Sequence, residues 1–413
     1  MVRYELKKIL GSAGGKIALF LYTATVVLAC WQSGIGANQE VRWVNEQGDH
    51  EYGLAAVKKL QAAQREWEGW LDQEKLNQVV QENQRILATP QAQSDSIQQR
   101  NIAYSWKQGF IPIRNLIIYS YATGFRSIDP YIADRITAID EETFYANRAR
   151  LLKEWLYDKT DTAYSKYSEP EKQYIIQKYE ELKTPFYFAY HQGWYQLLEN
   201  AAVIPEVGIL ILSFLLAGIF SNEFKWKSDA VYFSSKYGRS KATAAKIKAG
   251  FLLVTVLYWG AMGIYSLFTL CYLGFGGGNC VIQWAQWRSI YSLNLWQTWV
   301  LTVLSGYIGS LFLAFLVMWI SVKTKSAVFA VTVPFILIFL PSFLEGIADW
   351  LDTLLDLMPA RLLECYFHLK KISVLTIFGK VYRTFDICIL LYTIASLVLA
   401  PMMYRDFRHK QIF

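Results

Sequence analysis

The side chains with the clearest chemical arrangement lie in a polar segment, residues 221–248, between two apolar stretches. This segment has an acidic start, an apolar stripe, a Gly-Arg turn and a basic end, carried by Glu223, Asp229, Val231, Phe233, Ser235, Gly238, Arg239 and Lys246. A short apolar stripe in such a segment packs against another surface. A solvated basic connector would explain the lysines alone, but not the acidic start and the Gly-Arg turn.

Sites for catalysis, nucleotides or metals are not apparent in the sequence. Gly11-Ser-Ala-Gly-Gly-Lys16 resembles a phosphate-binding loop, but the nucleotide motif needs four residues between its glycines and a Ser or Thr after the lysine. Here there are three, and Ile17 follows. The four histidines are scattered, and Cys365-Tyr-Phe-His368 lacks the second ligand pair of a zinc site. We therefore predict no enzyme: no catalytic residue, and no metal or cofactor bound by this chain.

The composition is that of a membrane protein. Hydrophobic residues make up 54% of the 413 residues and charged residues 18%, below the roughly 25% of soluble chains. The mean hydropathy of +0.18 requires a large polar block among the apolar stretches. A helix that crosses a bilayer needs about 20 apolar residues, and six stretches approach this length: 17–34, 203–220, 249–275, 298–322, 327–344 and 385–404. The predicted fold class is an all-α polytopic membrane protein.

Charge distribution orients these six spans. The block 35–200 holds 19 Lys+Arg and 23 Asp+Glu. Sixteen basic residues and four acidic ones lie together in four other segments: 1–16, 221–248, 323–326 and 405–413. Because Lys and Arg favour the cytoplasmic side, these four segments and both termini are predicted inside, and 35–200, 276–297 and 345–384 outside. This describes a multi-pass protein of a bacterial plasma membrane, whose basic residues set orientation and do not bind nucleic acid.

The block 35–200 is predicted to form a mainly helical external lobe. Apolar residues at helical spacing predict one long amphipathic helix over 52–88 and a second helix over 138–157. Ser168-Glu-Pro-Glu171 has the spacing of a capping box and opens a third helix over 173–183. The block contains no cysteine, so its fold does not depend on disulfide bonds.

Three cysteines and one acidic residue leave alternatives open. Val27-Leu-Ala-Cys30 resembles a lipoprotein lipobox, but Trp31 is an awkward residue after a lipidated cysteine, so Cys30 is expected to pack within the first span. Cys280 and Cys365 both fall outside by this topology and could form a disulfide or remain isolated thiols. Glu206, at the outer end of the second span, is either a residue at headgroup level or part of a substrate path.

The spans contain few charges near the bilayer midplane but many aromatic and small residues, including Tyr265, Gly306, Tyr307 and Gly309. This pattern favours an apolar or amphipathic substrate that moves along a seam between two subunits. Gly306-x-x-Gly309 would allow close helix approach, although ordinary packing uses the same spacing. The coupling-ion ligands and internal repeat of a secondary transporter are not visible.

The segment 221–248 resembles the first cytoplasmic loop of ABC-transporter permeases of the type-two exporter family. In that family, a Glu follows the second helix, and a Ser-x-x-Gly-Arg run with a later Lys flanks a short coupling helix. Five residues stand at such positions here: Glu223, Ser235, Gly238, Arg239 and Lys246. The amphipathic segment 1–16 is similar to the family's interfacial elbow helix, and the large insertion after the first span follows the same plan.

The resemblance implies a permease subunit that exports an amphipathic peptide, lipid or drug. A separate ABC ATPase subunit would bind ATP and Mg and dock on the loop, with Asp229, Val231 and Phe233 on the coupling helix. A second permease subunit, identical or related, would complete a dimer in the lipid bilayer. The alternative is a polytopic membrane sensor or scaffold that binds a ligand through its external lobe.

Overall fold

The computed structural model describes residues 1–36, 41–121 and 129–410, and its secondary structure is mostly helical. Parts of the predicted lobe and of the C-terminal tail lie outside these ranges. The chain begins with α1 (Val2–Gly11) and α2 (Ala13–Ser33). The turn between them is tight, because a Cβ atom on Gly15 would lie 2.0 Å from the carbonyl oxygen of Ile9. The Ser12 hydroxyl accepts a hydrogen bond from the Gly15 amide and so caps α2.

The described residues between 41 and 200 fold into short helices and two-stranded hairpins, and we call this region the lobe. Its elements are, in chain order, β1 (Trp43–Val44), β2 (His50–Glu51), α3 (Gly53–Arg65), β3 (Gly69–Trp70), α4 (Gln73–Leu87), α5 (Pro90–Gln93), α6 (Ile97–Ser105), α7 (Ile111–Tyr121), α8 (Ile132–Arg135), α9 (Glu141–Tyr157), α10 (Thr162–Lys166), α11 (Glu169–Glu180), β4 (Tyr187–Phe188) and α12 (Gln192–Glu199). Strands β1 and β2 pair with each other, and β3 pairs with β4, both antiparallel.

The prediction of one long helix over 52–88 is wrong, because two helices are separated there by β3. Gly69 has a φ of +146° and pairs with Phe188 across the β3–β4 hairpin, a conformation that favours glycine. The side chain of Asp72 then accepts a hydrogen bond from the Lys75 amide and starts α4. Helical periodicity alone did not reveal this interruption.

Two other helices of the lobe follow the sequence closely. Helix α9 begins after Asp140, whose carboxylate accepts a hydrogen bond from the Thr143 amide. Helix α11 begins after Ser168, and Glu171 completes the predicted capping box. Local capping chemistry therefore set these boundaries to within a few residues.

The second half of the chain contains five long helices joined by shorter elements. In chain order these are α13 (Val203–Lys225), α14 (Asp229–Ser234), a π-helical turn (Gly238–Ala242), α15 (Thr243–Leu273), a 3-10 turn (Ile282–Trp284), α16 (Leu295–Thr324), α17 (Ala327–Leu344), α18 (Asp349–Leu355), α19 (Ala360–Leu363), α20 (Cys365–Lys370), β5 (Val374–Ile377), β6 (Lys380–Arg383) and α21 (Thr384–Arg408). The segment 345–384, expected only to be amphipathic, thus folds into three short helices and the antiparallel β5–β6 hairpin.

Within the described ranges, six helices are long and apolar enough to cross a membrane: α2, α13, α15, α16, α17 and α21. This confirms a membrane protein with six candidate spans. Helices α13 and α16 lie at the centre, packed on each other; α2, α15 and α17 pack on α13, and α21 packs on α16. All of these helices except α17 continue beyond the predicted spans; the largest extensions are those of α13 to Lys225, α15 from Thr243 and α21 to Arg408.

The lobe packs against the segments that follow α15 and α17. The indole of Trp284 donates a hydrogen bond to the carbonyl oxygen of Tyr187 at 2.8 Å. The hydroxyl of Tyr167 donates to the carbonyl oxygen of Ile372 at 2.7 Å. The described residues of 41–200 therefore form one body with the segments 276–294 and 345–383 at the same end of the helix bundle.

Candidate functional site

The segment singled out by its sequence surrounds a fully buried ammonium group. Lys246, in the first turns of α15, has a relative exposure of 0%. Its Nζ donates to Glu223 Oε1 at 2.8 Å, to the carbonyl oxygen of Ile219 at 3.0 Å and to Glu5 Oε2 at 3.3 Å. Two carboxylates and a carbonyl thus surround the cation, as a buried charge requires.

Glu223 connects this ammonium group to the N-terminal helix. Lys8 Nζ of α1 lies 2.8 Å from Glu223 Oε1, and the Ser228 hydroxyl donates to Glu223 Oε2 at 2.7 Å. We call Glu5, Lys8, Glu223 and Lys246 the charge cluster. It joins α1, α13 and α15 at one end of the bundle. The sequence indicated Glu223 and Lys246, but not their partners on α1.

Phe233 is not available to an external partner. Its side chain is only 5% exposed and packs against Phe407 of α21, with ring centroids 5.1 Å apart, and against Phe224 of α13. Phe233, which the sequence placed on the coupling helix, thus faces the interior of this chain. Of the apolar stripe of α14, Phe233 faces two helices of the same chain, where aromatic side chains pack against it, whereas Val231 is exposed.

The Gly-Arg turn also makes internal contacts. A Cβ atom on Gly238 would lie 1.7 Å from the carbonyl oxygen of Tyr232, so only glycine fits. Arg239 Nη1 donates to the carbonyl oxygens of Arg408 and Lys410 at 2.8 and 2.9 Å, which caps the end of α21 with a cation. The exposed Ser235 turns its hydroxyl to the Tyr232 carbonyl at 2.8 Å. Together these contacts fix α14 against α21.

The remaining side chains of the segment point away from the bundle. Val231 is 73% exposed, and Trp226 and Tyr237 are also exposed, together with Lys236. We call Trp226, Val231, Lys236 and Tyr237 the docking face. Asp229, in the first turn of α14, is half-buried. This face has apolar, aromatic and basic character, and it is held in place by the buried contacts behind it.

The residues suggested for a substrate path lie inside the bundle. The Tyr265 hydroxyl donates to the carbonyl oxygen of Leu197 at 2.9 Å, and that of Tyr307 lies 2.8 Å from Thr255 Oγ1. A Cβ atom on Gly306 would lie 2.6 Å from the Tyr258 hydroxyl, and one on Gly309 would lie 2.9 Å from Leu363. The close approach that these glycines allow is made to other residues of the same chain.

Glu206 lies in the first turn of α13, where its side chain faces Glu364. Burial opposes ionisation of Glu364, but the neighbouring His368 and the charge of Arg361 hold its pKa below the usual value. Arg361 itself is buried and lies 3.1 Å from Asp356 Oδ1. Glu206 thus belongs to a polar network at the lobe end of the bundle.

The cysteines are free thiols in the described part of the chain. Burial raises the pKa of Cys280 and of Cys365 to about 12, so neither is a reactive thiolate at neutral pH. Cys30 is buried within α2. Among the described residues, no group of three or more His, Cys, Asp or Glu side chains could hold a metal ion.

Comparison with known proteins identifies no relative, since no family model, curated protein or solved structure matches this chain.

Proposed function

We propose that this chain is the membrane-spanning permease subunit of an ATP-driven ABC exporter, with ATP hydrolysed by a separate subunit. The observation that carries the proposal is the docking face, which is exposed while α14 behind it is fixed to α13, α15 and α21. A loop that only connected two helices would not need a buried ion pair and an aromatic cluster to hold it. A loop that transmits force does need them.

A force applied to the docking face would reach the long helices because of the way in which α14 is held. A partner that pushes on Val231 acts on a helix whose Phe233 is buried between α13 and α21. The charge cluster joins α13 to α15 and α1 through contacts of 2.8 to 3.3 Å. Because packed interiors deform little, the displacement would move these helices together as a rigid body. This is the motion that alternating access requires.

The position of the docking face relative to the lobe supports the proposed topology. Helix α15 begins beside the π-helical turn, where the Thr243 hydroxyl donates to the Gly238 carbonyl at 2.9 Å. It ends at Leu273, which packs with Val57 and Tyr190 of the lobe. The two regions thus occupy opposite ends of a helix long enough to cross a bilayer. Basic residues are concentrated at the end of the bundle that carries the docking face, which we call the docking end. The proposal therefore puts both termini in the cytoplasm and the lobe outside a bacterial plasma membrane.

The proposal assigns the substrate and the second permease subunit by the character of the outer surface. Helices α17 and α21 expose large apolar side chains along their length, including Phe335, Phe339, Leu390 and Leu397. Such faces suit lipid, another permease subunit or an amphipathic cargo between them. A homodimer or a related heterodimer that exports a peptide, lipid or drug is consistent with these surfaces.

The test is co-purification of the full chain with a candidate ABC ATPase subunit, sought first among the genes beside its own. Val231→Asp places a charge in the centre of the docking face, and we expect it to reduce the recovered ATPase about tenfold, as loss of a central interface contact does. His409→Asp is the matched control, since this exposed residue lies on the same end of the bundle. Equal recovery with both variants, or no ATPase with the wild-type chain, would contradict the proposal and favour the sensor or scaffold.

A further inference from the structure

The lobe contains a cavity of about 320 Å³ in which three basic side chains meet. Its basic wall is formed by Arg100, Lys107 and Arg114, and its apolar wall includes Leu87, Ala103 and Ile111. Arg100 belongs to α6, Arg114 belongs to α7, and Lys107 lies in the turn that joins these helices. The fold thus brings three cations, seven residues apart along the chain, to one opening.

Acidic side chains do not balance these cations. Asp134 Oδ1 lies 2.7 Å from Arg114 Nη2 and also accepts a hydrogen bond from Asn83 Nδ2 at 2.9 Å. Among the described residues, neither Arg100 nor Lys107 has an ion pair. The four charged groups Arg100, Lys107, Arg114 and Asp134 therefore leave a surplus of two positive charges at the cavity.

The environment of Lys107 shows that the surplus positive charge disfavours the protonated form of this side chain. Partial burial lowers the pKa of Lys107, and the neighbouring charge of Arg114 lowers it further, against the opposing effect of Asp134. Arg114 is held in position by Asp134 and by the carbonyl oxygen of Pro130 at 3.0 Å. A fixed guanidinium beside a half-buried ammonium group is an arrangement that an anion would stabilise.

We infer that this cavity binds the phosphate group of a ligand whose remaining part is apolar. A phosphate monoester carries a charge of about −1.5 to −2 at neutral pH, which matches the surplus better than the single charge of a carboxylate. Guanidinium groups bind phosphate through paired N–H donors, and lysine adds a point charge. The apolar wall beside the cations would contact the rest of the ligand. This inference does not depend on the proposed transport function.

A phosphate group could reach the cavity on a lipid or on a soluble molecule, and titration of the purified full chain separates these sources. The probes are inorganic phosphate, short-chain phosphatidic acid below its micelle concentration, and short-chain phosphatidylcholine, whose headgroup has no net charge. Calorimetry would give the dissociation constant of each. Tighter binding of phosphatidic acid than of inorganic phosphate and of phosphatidylcholine supports a lipid source. Equal binding of phosphatidic acid and inorganic phosphate would show that the cavity recognises phosphate alone and would overturn the apolar part of the inference.

Two variants assign the binding to this cavity. Loss of one charged hydrogen-bond donor should weaken phosphate binding about tenfold, so we expect this effect from Lys107→Gln and from the more exposed Arg100→Gln. Lys153→Gln is the matched control, because Lys153 is an exposed lysine of the lobe on α9. Unchanged melting temperatures would show that the variants fold. Absence of binding by both anionic probes, equal binding of acetate, or equal affinity in all three variants would overturn the inference.

Discussion

Two fully buried cations at opposite ends of the bundle are accommodated in different ways. Lys246, 0% exposed, has two carboxylates within 3.3 Å of its ammonium group. Arg148 of the lobe, 1% exposed, has only neutral acceptors in the described part of the chain. Its Nε donates to the Tyr179 hydroxyl at 3.2 Å, and its Nη2 donates to the carbonyl oxygen of Trp287 at 2.9 Å.

The difference follows from the chemistry of the two groups. A lysine ammonium concentrates its charge on one strongly hydrated nitrogen, so its burial requires opposite charge. The guanidinium group of Arg148 spreads its charge over a plane, and the ring of Phe186 lies 5.0 Å from its Cζ, within the range of a cation–π contact. The buried lysine of the docking end is thus held by opposite charge, whereas the buried arginine of the lobe is held by neutral acceptors and aromatic rings.

The largest effect is expected from removal of the carboxylate beside Lys246. Glu223→Gln leaves a buried cation with its more distant partner Glu5, and we expect the free energy of unfolding to fall by about 3–5 kcal/mol. Denaturant unfolding of the purified chain in detergent measures this change. Glu180→Gln, at an exposed site of the lobe, is the control and should change the free energy by less than about 0.5 kcal/mol.

A double variant then separates charge from packing. Glu223→Met with Lys246→Met removes both charges and should recover most of the stability lost in Glu223→Gln, since an apolar pair can replace a buried ion pair. If the double variant were less stable than Glu223→Gln, the cluster would not act mainly through charge. A Glu223→Gln variant as stable as Glu180→Gln would contradict the comparison itself.

A smaller loss is expected at the lobe end. Arg148→Met removes two hydrogen bonds to neutral acceptors but also removes a buried charge without a carboxylate partner, so we expect a cost of about 1–2 kcal/mol. The same unfolding measurement applies, with the exposed Arg150→Met as control. A loss as large as that of Glu223→Gln would show that Arg148 depends on charge after all.

The sequence predicted the docking end better than the lobe. Hydropathy located all six long helices, and the residue pattern of the segment 221–248 indicated Glu223 and Lys246. Both of these signals depend only on residues that are close together along the chain. The partner Lys8 lies 215 residues from Glu223 along the chain, and no local pattern connects them. The orientation of Phe233 also depended on a distant residue, Phe407, so its exposure could not be read from the stripe of α14.

The lobe was less predictable because its contacts are made over long distances. Strand β3 is only two residues long and forms because β4, more than a hundred residues later, pairs with it. The sequence did not indicate that Arg148 is buried, because every residue type carries a backbone carbonyl oxygen and such an acceptor leaves no pattern in the sequence. The spacing of Arg100, Lys107 and Arg114 was visible, but two helices and a turn were needed to bring the three side chains to one cavity.

The smallest predicted effect concerns a third way to bury an ionisable group, which is to keep it neutral. His191 of the lobe is buried, and its Nδ1 lies 2.8 Å from the carbonyl oxygen of Ala189. Burial lowers the pKa of His191 despite this contact. In the unfolded chain a histidine takes up a proton as the pH falls through about 6.5, whereas folded His191 does so only at lower pH. Stability is therefore full above this pH and falls below it, with a slope of at most about 1.4 kcal/mol per pH unit.

Unfolding at pH 7.5 and at pH 5.5 measures this dependence. His191→Gln keeps a donor near the Ala189 carbonyl but cannot titrate, so its stability should fall less than that of the wild-type chain over this range. His50→Gln, at an exposed histidine, is the control and should retain the wild-type pH dependence. Because one proton is involved, the difference should stay below that of the Arg148 and Glu223 variants near neutral pH. An identical pH dependence in His191→Gln and wild type would mean that the pKa of His191 is the same in the folded and the unfolded chain, and would contradict the burial of a neutral histidine.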